Sequence, residues 1–289
     1  MAILQNEQLR VEIRPKGAEL TSITNLGTGV EHIWSANPAI WGWHAPNLFP
    51  VVGGCLDNQL LIGDKAYPME RHGFARQSVF AELESTASRA VFSLRATDVM
   101  REKFPYVFDF RVIYELDGPR LSVTYRVANE GDQLMFFSVG AHPAFNVPFL
   151  PGERYEDYVI EFEREEQLQT HLLSASGLFS GETQPVPLRG CELVLTPHLF
   201  DQDALVFKNL QSRRVVLKSS RNDHSVAVTF RDFPYLGLWA KSGAPFVCIE
   251  PWLGCADSEG EPVDIEQKEL IQHVDAGGVF DAGFSIEVR

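Results

Sequence analysis

A glutamate near the C-terminal end of the chain lies in an apolar segment, where burying a charged side chain costs free energy. Glu250 ends the apolar run 246–249 and is followed by Pro251 and Trp252. A carboxylate in such a setting costs free energy to desolvate unless it is paired or functional. Partial burial raises the pKa of a carboxylate and makes it a better proton acceptor near neutral pH. A salt-bridged glutamate at a strand end is the alternative, but polar groups in apolar surroundings cluster at functional sites, so we favour a catalytic Glu250.

Two histidines are candidates for the other half of an acid–base pair. His142 follows the apolar run 134–141, and histidine is the side chain that most readily exchanges a proton near pH 7. His72 precedes Gly73, and a glycine lets a ligand approach the backbone closely. A core histidine bonded to a backbone carbonyl is an equal alternative for His142, as is a surface-loop histidine for His72.

Charged side chains around these segments are candidate ligand contacts. Arg71 and Arg76 are forked donors that suit hydroxyls, a carboxylate or a phosphate, although a single arginine is usually solvated. Asp203 leads into the apolar run 204–207, and a carboxylate there can accept paired hydrogen bonds from a diol. A turn cap is the alternative, and it would serve for Asp201 equally well.

Metal and cofactor signatures are absent from the sequence. The remaining histidines form no H-x-x-x-H pair, so a zinc site is not supported. They are His32, His44, His171, His198, His224 and His273. There is no G-x-S-x-G, no G-x-x-x-x-G-K-S/T and no G-x-G-x-x-G after a strand, which argues against elbow-type hydrolases, P-loop enzymes and dinucleotide oxidoreductases. We therefore expect neither a metal nor a cofactor.

The elements that must position these residues are short strands. Apolar and polar residues alternate in 108–114 and again in 121–127, and Asp117-Gly118 between them is a strong hairpin signal. Helical material is scarce: residues 97–103 could form one or two turns.

The absence of a fixed repeat argues against a propeller or solenoid. Residues 174–186, rich in Ser, Gly and Pro, are the best candidate for a flexible connection. The pattern predicts an all-β fold, a large antiparallel β-sandwich with few short helices, forming a single domain over residues 1–289.

Charge and cysteine content limit the partners and the compartment. Lys plus Arg total 25 and Asp plus Glu total 39, so the formal net charge is −14, which argues against nucleic acid and anionic membrane partners. The uncharged stretch 33–56 contains prolines that would break a membrane-spanning helix. The N-terminus lacks signal-peptide order and the four cysteines form no C-x-x-C pair, so we expect the reducing cytoplasm.

The sequence resembles the aldose 1-epimerase (galactose mutarotase) family, in particular a bacterial branch of mutarotase-like proteins whose sugar is often unassigned. The resemblance covers essentially the whole chain and rests on five segments in order. They are Gly17-Ala18-Glu19-Leu20, residues 46–53, His72-Gly73-Phe74-Ala75-Arg76, residues 140–146 and residues 248–254.

The resemblance implies a β-supersandwich whose open cleft binds a free sugar without metal or cofactor. Glu250 looks like the family's catalytic base and His142 like its acid, with His72 bonding the ring oxygen or a hydroxyl. Asp203 is the more plausible match to the family's sugar-binding aspartate, while Asp201 stays open. We expect further sugar contacts from Arg76 and Arg71, and from the two candidates Asn47 and Trp252, and we expect a monomer or homodimer.

The resemblance also leaves alternatives open. Relatives commonly place an arginine where this chain has Gly54, so Arg76 or Arg71 would have to supply that contact. Hexose-6-phosphate mutarotases share the H-G-F-A-R string and hold phosphate with arginines. The sequence thus predicts an aldose 1-epimerase acting on a free hexose, with a hexose-6-phosphate 1-epimerase, a non-catalytic sugar-binding protein of the same fold, and a glycoside hydrolase or lyase as alternatives.

Overall fold

Antiparallel strands dominate the computed structural model, which describes residues 1–289. The first twelve are β1 (Ala2–Gln5), β2 (Leu9–Arg14), β3 (Glu19–Asn25), β4 (Asn47–Leu48), β5 (Gln59–Ile62), β6 (Lys65–Pro68), β7 (Ala81–Ser85), β8 (Arg89–Arg95), β9 (Phe108–Asp117), β10 (Arg120–Asn129), β11 (Met135–Phe137) and β12 (Val139–Ala141). The others are β13 (Ala144–Asn146), β14 (Tyr158–Phe162), β15 (Gln169–Leu173), β16 (Phe179–Pro185), β17 (Glu192–Val194), β18 (Leu205–Phe207), β19 (Arg214–Ser219), β20 (Ser225–Thr229), β21 (Tyr235–Trp239), β22 (Phe246–Leu253), β23 (Gln272–Val274) and β24 (Val279–Val288).

Helices are few and short, as the sequence predicts. The one α-helix, α1, spans Asp98–Arg101 and begins at Thr97, whose side chain accepts a hydrogen bond from the Met100 N–H. Four 3₁₀ turns complete the set: Leu56–Asn58, Ala75–Gln77, Tyr155–Asp157 and Ile265–Gln267. No helix is long and apolar enough to cross a membrane.

Two large sheets form the body of the protein. The nine-stranded sheet has the order β17-β14-β19-β20-β24-β10-β9-β8-β7. The six-stranded sheet has the order β18-β21-β22-β12-β4, and β13 adds to it by pairing with β22. The predicted hairpin is confirmed, because β9 pairs with β10 from Asp117 and Arg120 onwards. The all-β sandwich predicted from the sequence is therefore the observed architecture.

The core lies between one face of each large sheet. Strand β10 alternates between buried and half-buried residues, as a strand with one face on a core does. From it the Tyr125 hydroxyl donates to Oδ1 of Asn47 in β4, 2.7 Å away. Phe49 stacks on Phe110 of β9 at 4.5 Å between ring centroids. Because side chains alternate across a strand, the other face of the six-stranded sheet is left to carry a separate, smaller apolar cluster and the site described below.

The predicted flexible connection over residues 174–186 is wrong. Most of it is strand β16, which pairs with β15 in a two-stranded hairpin, and the turn between the strands is closed by the Gly177 N–H donating to the Ser174 carbonyl. Ser, Gly and Pro are turn formers as well as linker residues, so composition alone could not separate a hairpin from a linker. This hairpin closes over the outer face of the six-stranded sheet.

Candidate active site

A cavity of about 290 Å³ lies on the outer face of the six-stranded sheet. Seven of the eight residues predicted from the sequence line it: Arg71, His72, Arg76, His142, Asp203, Glu250 and Trp252. They come from loops and strands between Arg71 and Trp252, and the sheet and its connections bring them to one place. The eighth, Asn47, does not line this cavity.

The register of the six-stranded sheet makes His142 and Glu250 neighbours. In the ladder Gly140 pairs with Trp252 and Ala144 pairs with Cys248, so the paired numbers always add to 392. The same register on both sides of the break between β12 and β13 sets position 142 opposite position 250. Directly opposed side chains on one face of a sheet lie close together. Nε2 of His142 is indeed 3.2 Å from Oε2 of Glu250.

Burial keeps this pair free of net charge. Only 1% of Glu250 and 8% of His142 is exposed. Desolvation, reinforced by the negative charge of Asp203, raises the pKa of Glu250 well above its ordinary value. Desolvation lowers the pKa of His142 to about 3. Burial thus favours the neutral form of both groups, a protonated carboxyl beside a neutral imidazole.

His72 faces the pair from a loop with fixed backbone geometry. Its own backbone N–H donates to the Gly53 carbonyl at 2.8 Å, and its Nδ1 accepts from the Gly53 N–H at 3.1 Å. With Nδ1 accepting, the neutral ring carries its proton on Nε2 and presents a donor. The ring is nearly perpendicular to the ring of His142, with 5.6 Å between the two centroids. Burial, reinforced by the positive charges of Arg76 and Arg71, lowers the pKa of His72 well below its ordinary value.

Two arginines border the cavity without a carboxylate partner. Nη2 of Arg71 donates to the Ser176 carbonyl, and Nη2 of Arg76 donates to the Arg71 carbonyl, each at 2.8 Å. Neither guanidinium lies within salt-bridge distance of an acid, and Nε of Arg76 is buried with no hydrogen-bond partner. A Cβ at Gly54 would lie 4.0 Å from Nε of Arg71. Arg71 thus reaches the space beside Gly54, whereas the Arg76 guanidinium lies 5.3 Å from the Trp43 ring.

Trp252 forms the floor of the cavity, and two glycines make room for its ring. A Cβ at Gly140 would lie 2.8 Å from Cδ1 of the indole, and a Cβ at Gly237 would lie 2.7 Å from Cζ2. These glycines are the cross-strand partners of Trp252 and Glu250 in the two neighbouring strands. The indole therefore lies across the sheet over both positions, which only residues without a side chain permit.

The structure separates Asp203 from Asp201. Asp203 lines the cavity, while Asp201 binds Nδ1 of His198 at 2.9 Å and the Ser242 hydroxyl at 2.8 Å outside it. Asp203 adopts a left-handed backbone with φ of 76°, which aspartate tolerates better than most residues. Of the two aspartates, only Asp203 is in a position to meet a ligand in this cavity.

The predicted sugar contact from Asn47 is not supported. Asn47 is 3% exposed, and its Nδ2 donates to the carbonyls of Gly17 and Ala18 while its Oδ1 accepts from the Tyr125 hydroxyl. All of these bonds are made inside the core. A polar residue in an otherwise apolar segment is an equally good sign of a buried hydrogen-bond network, which is what the structure has here.

Part of the cavity wall was not identified from the sequence as a site. Leu173, Gly177 and Phe179 come from the β15–β16 hairpin. Nη2 of Arg71 would lie 1.8 Å from a Cβ at position 177, so Gly177 is needed for this close approach. Trp41 stacks on His142 at 5.0 Å, and Trp239 meets it edge-on at 5.9 Å. Nothing in the hairpin sequence indicated a cavity.

Comparisons with known proteins agree on one family. The family model described as aldose 1-epimerase matches residues 2–262. The chain is 34% identical over 280 residues to the chromosomal protein LacX of Lactococcus lactis subsp. lactis, covering 94% of this chain and 93% of LacX.

Solved structures give the same result. A galactose mutarotase related enzyme from Lactobacillus acidophilus superposes with a TM-score of 0.95 at 34% identity, covering 100% of this chain and 97% of that one. A galactose mutarotase-like protein from Lactobacillus casei ATCC 334 superposes with a TM-score of 0.94 at 32% identity, covering both chains completely.

Proposed function

The chain belongs to the aldose 1-epimerase family, and from that premise we propose that it interconverts the α and β anomers of a free hexose. The family implies an isomerase that acts on a sugar. The finer assignment rests on one observation above all, the contact of 3.2 Å between Nε2 of His142 and Oε2 of Glu250 at the wall of the cavity.

Mutarotation suits two proton-transfer groups that lie side by side. The anomeric hydroxyl and the ring oxygen are bonded to the same carbon, so the proton removed and the proton delivered travel to neighbouring atoms. Nε2 of His142 and Oε2 of Glu250 are too close together for a sugar to enter between them, so the sugar has to approach their common edge.

The proposed step starts when the carboxyl proton of Glu250 moves to Nε2 of His142. The Glu250 carboxylate then accepts the proton of the anomeric hydroxyl, His142 delivers its proton to the ring oxygen, and the bond between C1 and the ring oxygen breaks. The products are the open-chain aldehyde, a neutral carboxyl and a neutral imidazole, which are the protonation states that burial favours. After rotation about C1–C2 the two groups reverse their roles and the ring closes on the other face.

The other lining residues have complementary roles in this proposal. His72 donates from Nε2 to a sugar oxygen, and Asp203 accepts hydrogen bonds from sugar hydroxyls. Trp252 offers an aromatic surface to the apolar face of the sugar. No step draws on a metal or an organic cofactor.

Replacing Glu250 tests the proposal. Glu250→Gln keeps the size of a side chain that is neutral in the free protein, so the fold and the sugar affinity should persist. Turnover of freshly dissolved α-glucose or α-galactose, followed by polarimetry, should fall by roughly 10²–10⁴-fold, the usual contribution of a positioned general acid or base. The exposed Glu182, changed to Gln, is the matched control and should leave the rate unaltered.

Three outcomes would contradict the proposal. Near-normal turnover by Glu250→Gln would exclude the assigned role of the carboxyl. A wild-type protein that binds sugar but leaves the spontaneous rate unchanged would instead be a carbohydrate-binding protein. Release of reducing ends from oligosaccharides would indicate a glycosidase, which needs two carboxylates at a glycosidic bond.

A hexose-6-phosphate substrate is the second candidate, and the arginines favour it. Arg71 and Arg76 border the cavity with no carboxylate within salt-bridge distance, an arrangement that suits a phosphate group. A mutarotation panel of free and 6-phosphorylated glucose and galactose separates the two candidates. If phosphate is recognised, Arg71→Met should raise KM for the phosphorylated sugars and leave KM for the free sugars nearly unaltered.

A further inference from the structure

A buried thiol lies beside the acid–base pair, and the mechanism does not use it. Cys248 is two residues before Glu250 in β22, so both side chains leave the same face of the strand. One ligand atom from each of Cys248, Glu250 and His142 lies within 4.8 Å of the other two. Cys248 is a free cysteine and is fully buried.

The separation of these atoms is close to that of ligands around one metal ion. Zinc bonds of about 2.0–2.3 Å in a tetrahedron place neighbouring ligand atoms roughly 3.3–3.6 Å apart. The 3.2 Å between Nε2 of His142 and Oε2 of Glu250 is near that value, and the sulfur of Cys248 lies within 4.8 Å of the ligand atoms of both residues. Oε2 of Glu250 has no hydrogen-bond partner although the residue is only 1% exposed, so this candidate metal-ligand atom has no competing hydrogen bond.

The chemistry of the donors selects a class of metal. Thiolate, imidazole and carboxylate together are typical zinc ligands, and three protein ligands leave a fourth position for water or substrate. Binding would release the proton of the Cys248 thiol and the proton held by Glu250, so a divalent ion would form a complex with no net charge. That neutrality matters because an uncompensated charge is costly in a buried site.

Neighbouring charged side chains both favour and oppose the binding of a cation at this site. The carboxylate of Asp203, which already acts on Glu250, attracts a cation, and the guanidinium of Arg76, which acts on His142, repels one. The other two buried thiols are less suitable. Cys55 lies near the ammonium of Lys268, and Cys255 lies near that of Lys208.

We propose that a thiophilic divalent cation of the Zn²⁺ class binds to Cys248, Glu250 and His142 and blocks the sugar reaction by occupying both proton-transfer groups. The metal site itself depends only on these three side chains. The inhibition rests additionally on the proposed function. The spacing rules applied to the sequence could not reveal this site, because its ligands come from β22 and from the connection between β12 and β13, and include one histidine only.

Cobalt(II) tests the site without reference to turnover. Added to metal-free protein, Co²⁺ should produce the near-ultraviolet charge-transfer absorption of a thiolate–cobalt bond at one equivalent. Cys248→Ala should abolish the band, and Glu250→Gln should weaken Co²⁺ binding by about tenfold or more, since even the loss of a supporting contact costs that much. Cys191→Ala removes a cysteine that is not part of the cluster and is the matched control.

Zinc then tests the effect on turnover. Zn²⁺ should inhibit the wild-type protein in polarimetry, EDTA should restore the rate, and Cys248→Ala should turn over sugar normally and resist Zn²⁺. The proposal is overturned if the wild-type protein gives no cobalt band, or if the band or the inhibition survives in Cys248→Ala. Circular dichroism establishes that this variant is folded, and Cys248→Ser replaces it if it is not. A protein with a cobalt band but no mutarotation would refute the proposed function and leave the metal site standing.

Discussion

Acid should destabilise this fold through His32, a buried histidine without a hydrogen-bond partner. Its ring meets Phe149 edge-on at 5.0 Å, and neither ring nitrogen is bonded. Burial, reinforced by the charge of His224, lowers the pKa of His32 from 6.5 to about 4. Below pH 6.5 the unfolded chain therefore binds a proton at this residue while the folded chain does not, so the free energy of unfolding decreases as the pH falls towards 4.

The size of the effect follows from the difference between these pKa values. At about pH 5 the unfolded histidine is roughly 1.5 pH units below its pKa while the folded one is still mainly neutral, so His32 alone removes about 2 kcal/mol from the free energy of unfolding. His32→Leu removes this dependence. Any packing change caused by the substitution is present at every pH and cancels in the comparison.

Urea unfolding followed by circular dichroism at pH 7.5 and pH 5 measures the difference. The wild-type protein should lose about 2 kcal/mol more between the two pH values than His32→Leu does. His44, whose pKa burial also lowers to about 4, contributes equally to both proteins. The exposed His273, changed to Gln, should behave like the wild type. An equal loss in the wild type and in His32→Leu would show that His32 is not held neutral in the fold, and the reasoning would fail.

Three further predictions concern the cavity. Gly237→Ala should displace the Trp252 ring, because the new methyl group overpacks the position. We expect a higher KM for the sugar in polarimetry and a loss of about 1–3 kcal/mol of stability in thermal unfolding. An unaltered KM would contradict the proposal that the Trp252 ring forms the floor of the sugar site. The plot of kcat/KM against pH should have an acid limb near pH 3, where His142 becomes protonated, and an alkaline limb well above 4.5, where Glu250 loses its proton; an acid limb near pH 6.5 would show that burial does not hold His142 neutral. Asn47→Ala should leave KM unchanged and cost about 1–3 kcal/mol, because it leaves buried groups unpaired; a large rise in KM at normal stability would restore Asn47 as a sugar contact.

Local patterns in the sequence were sufficient for the strands and for singling out Glu250, whereas its pairing with His142 came from the family resemblance. The alternation in β10 and the Asp-Gly turn before it report which face of a strand is buried and where the chain reverses. Glu250 was visible because a carboxylate in an apolar strand contradicts its surroundings. These signals depend on neighbours within a few residues, which a single sequence contains.

Long-range geometry could not be predicted in this way. Asn47 and Glu250 are both polar residues in apolar segments, and only the tertiary structure shows that one is bonded to the Tyr125 hydroxyl in the core while the other opens onto a cavity. The direct contact of His142 with Glu250 depends on strand register, and the β15–β16 hairpin reaches the site only through folding. Neither the contact nor the position of the hairpin can be recognised from local composition or residue spacing.

The ladder that sets positions 142 and 250 opposite each other has a consequence for how this molecule can diversify. Because β13 and β22 pair from Ala144–Cys248 to Asn146–Phe246, the register is fixed beside the site, and the loops that connect strands between residues 147 and 245 can gain or lose residues without altering the distance between the two proton-transfer groups. That intervening stretch supplies the hairpin wall, Asp203 and Trp239. Insertions there would remodel which sugars fit while preserving the reaction itself, so selectivity and chemistry can evolve as separate traits.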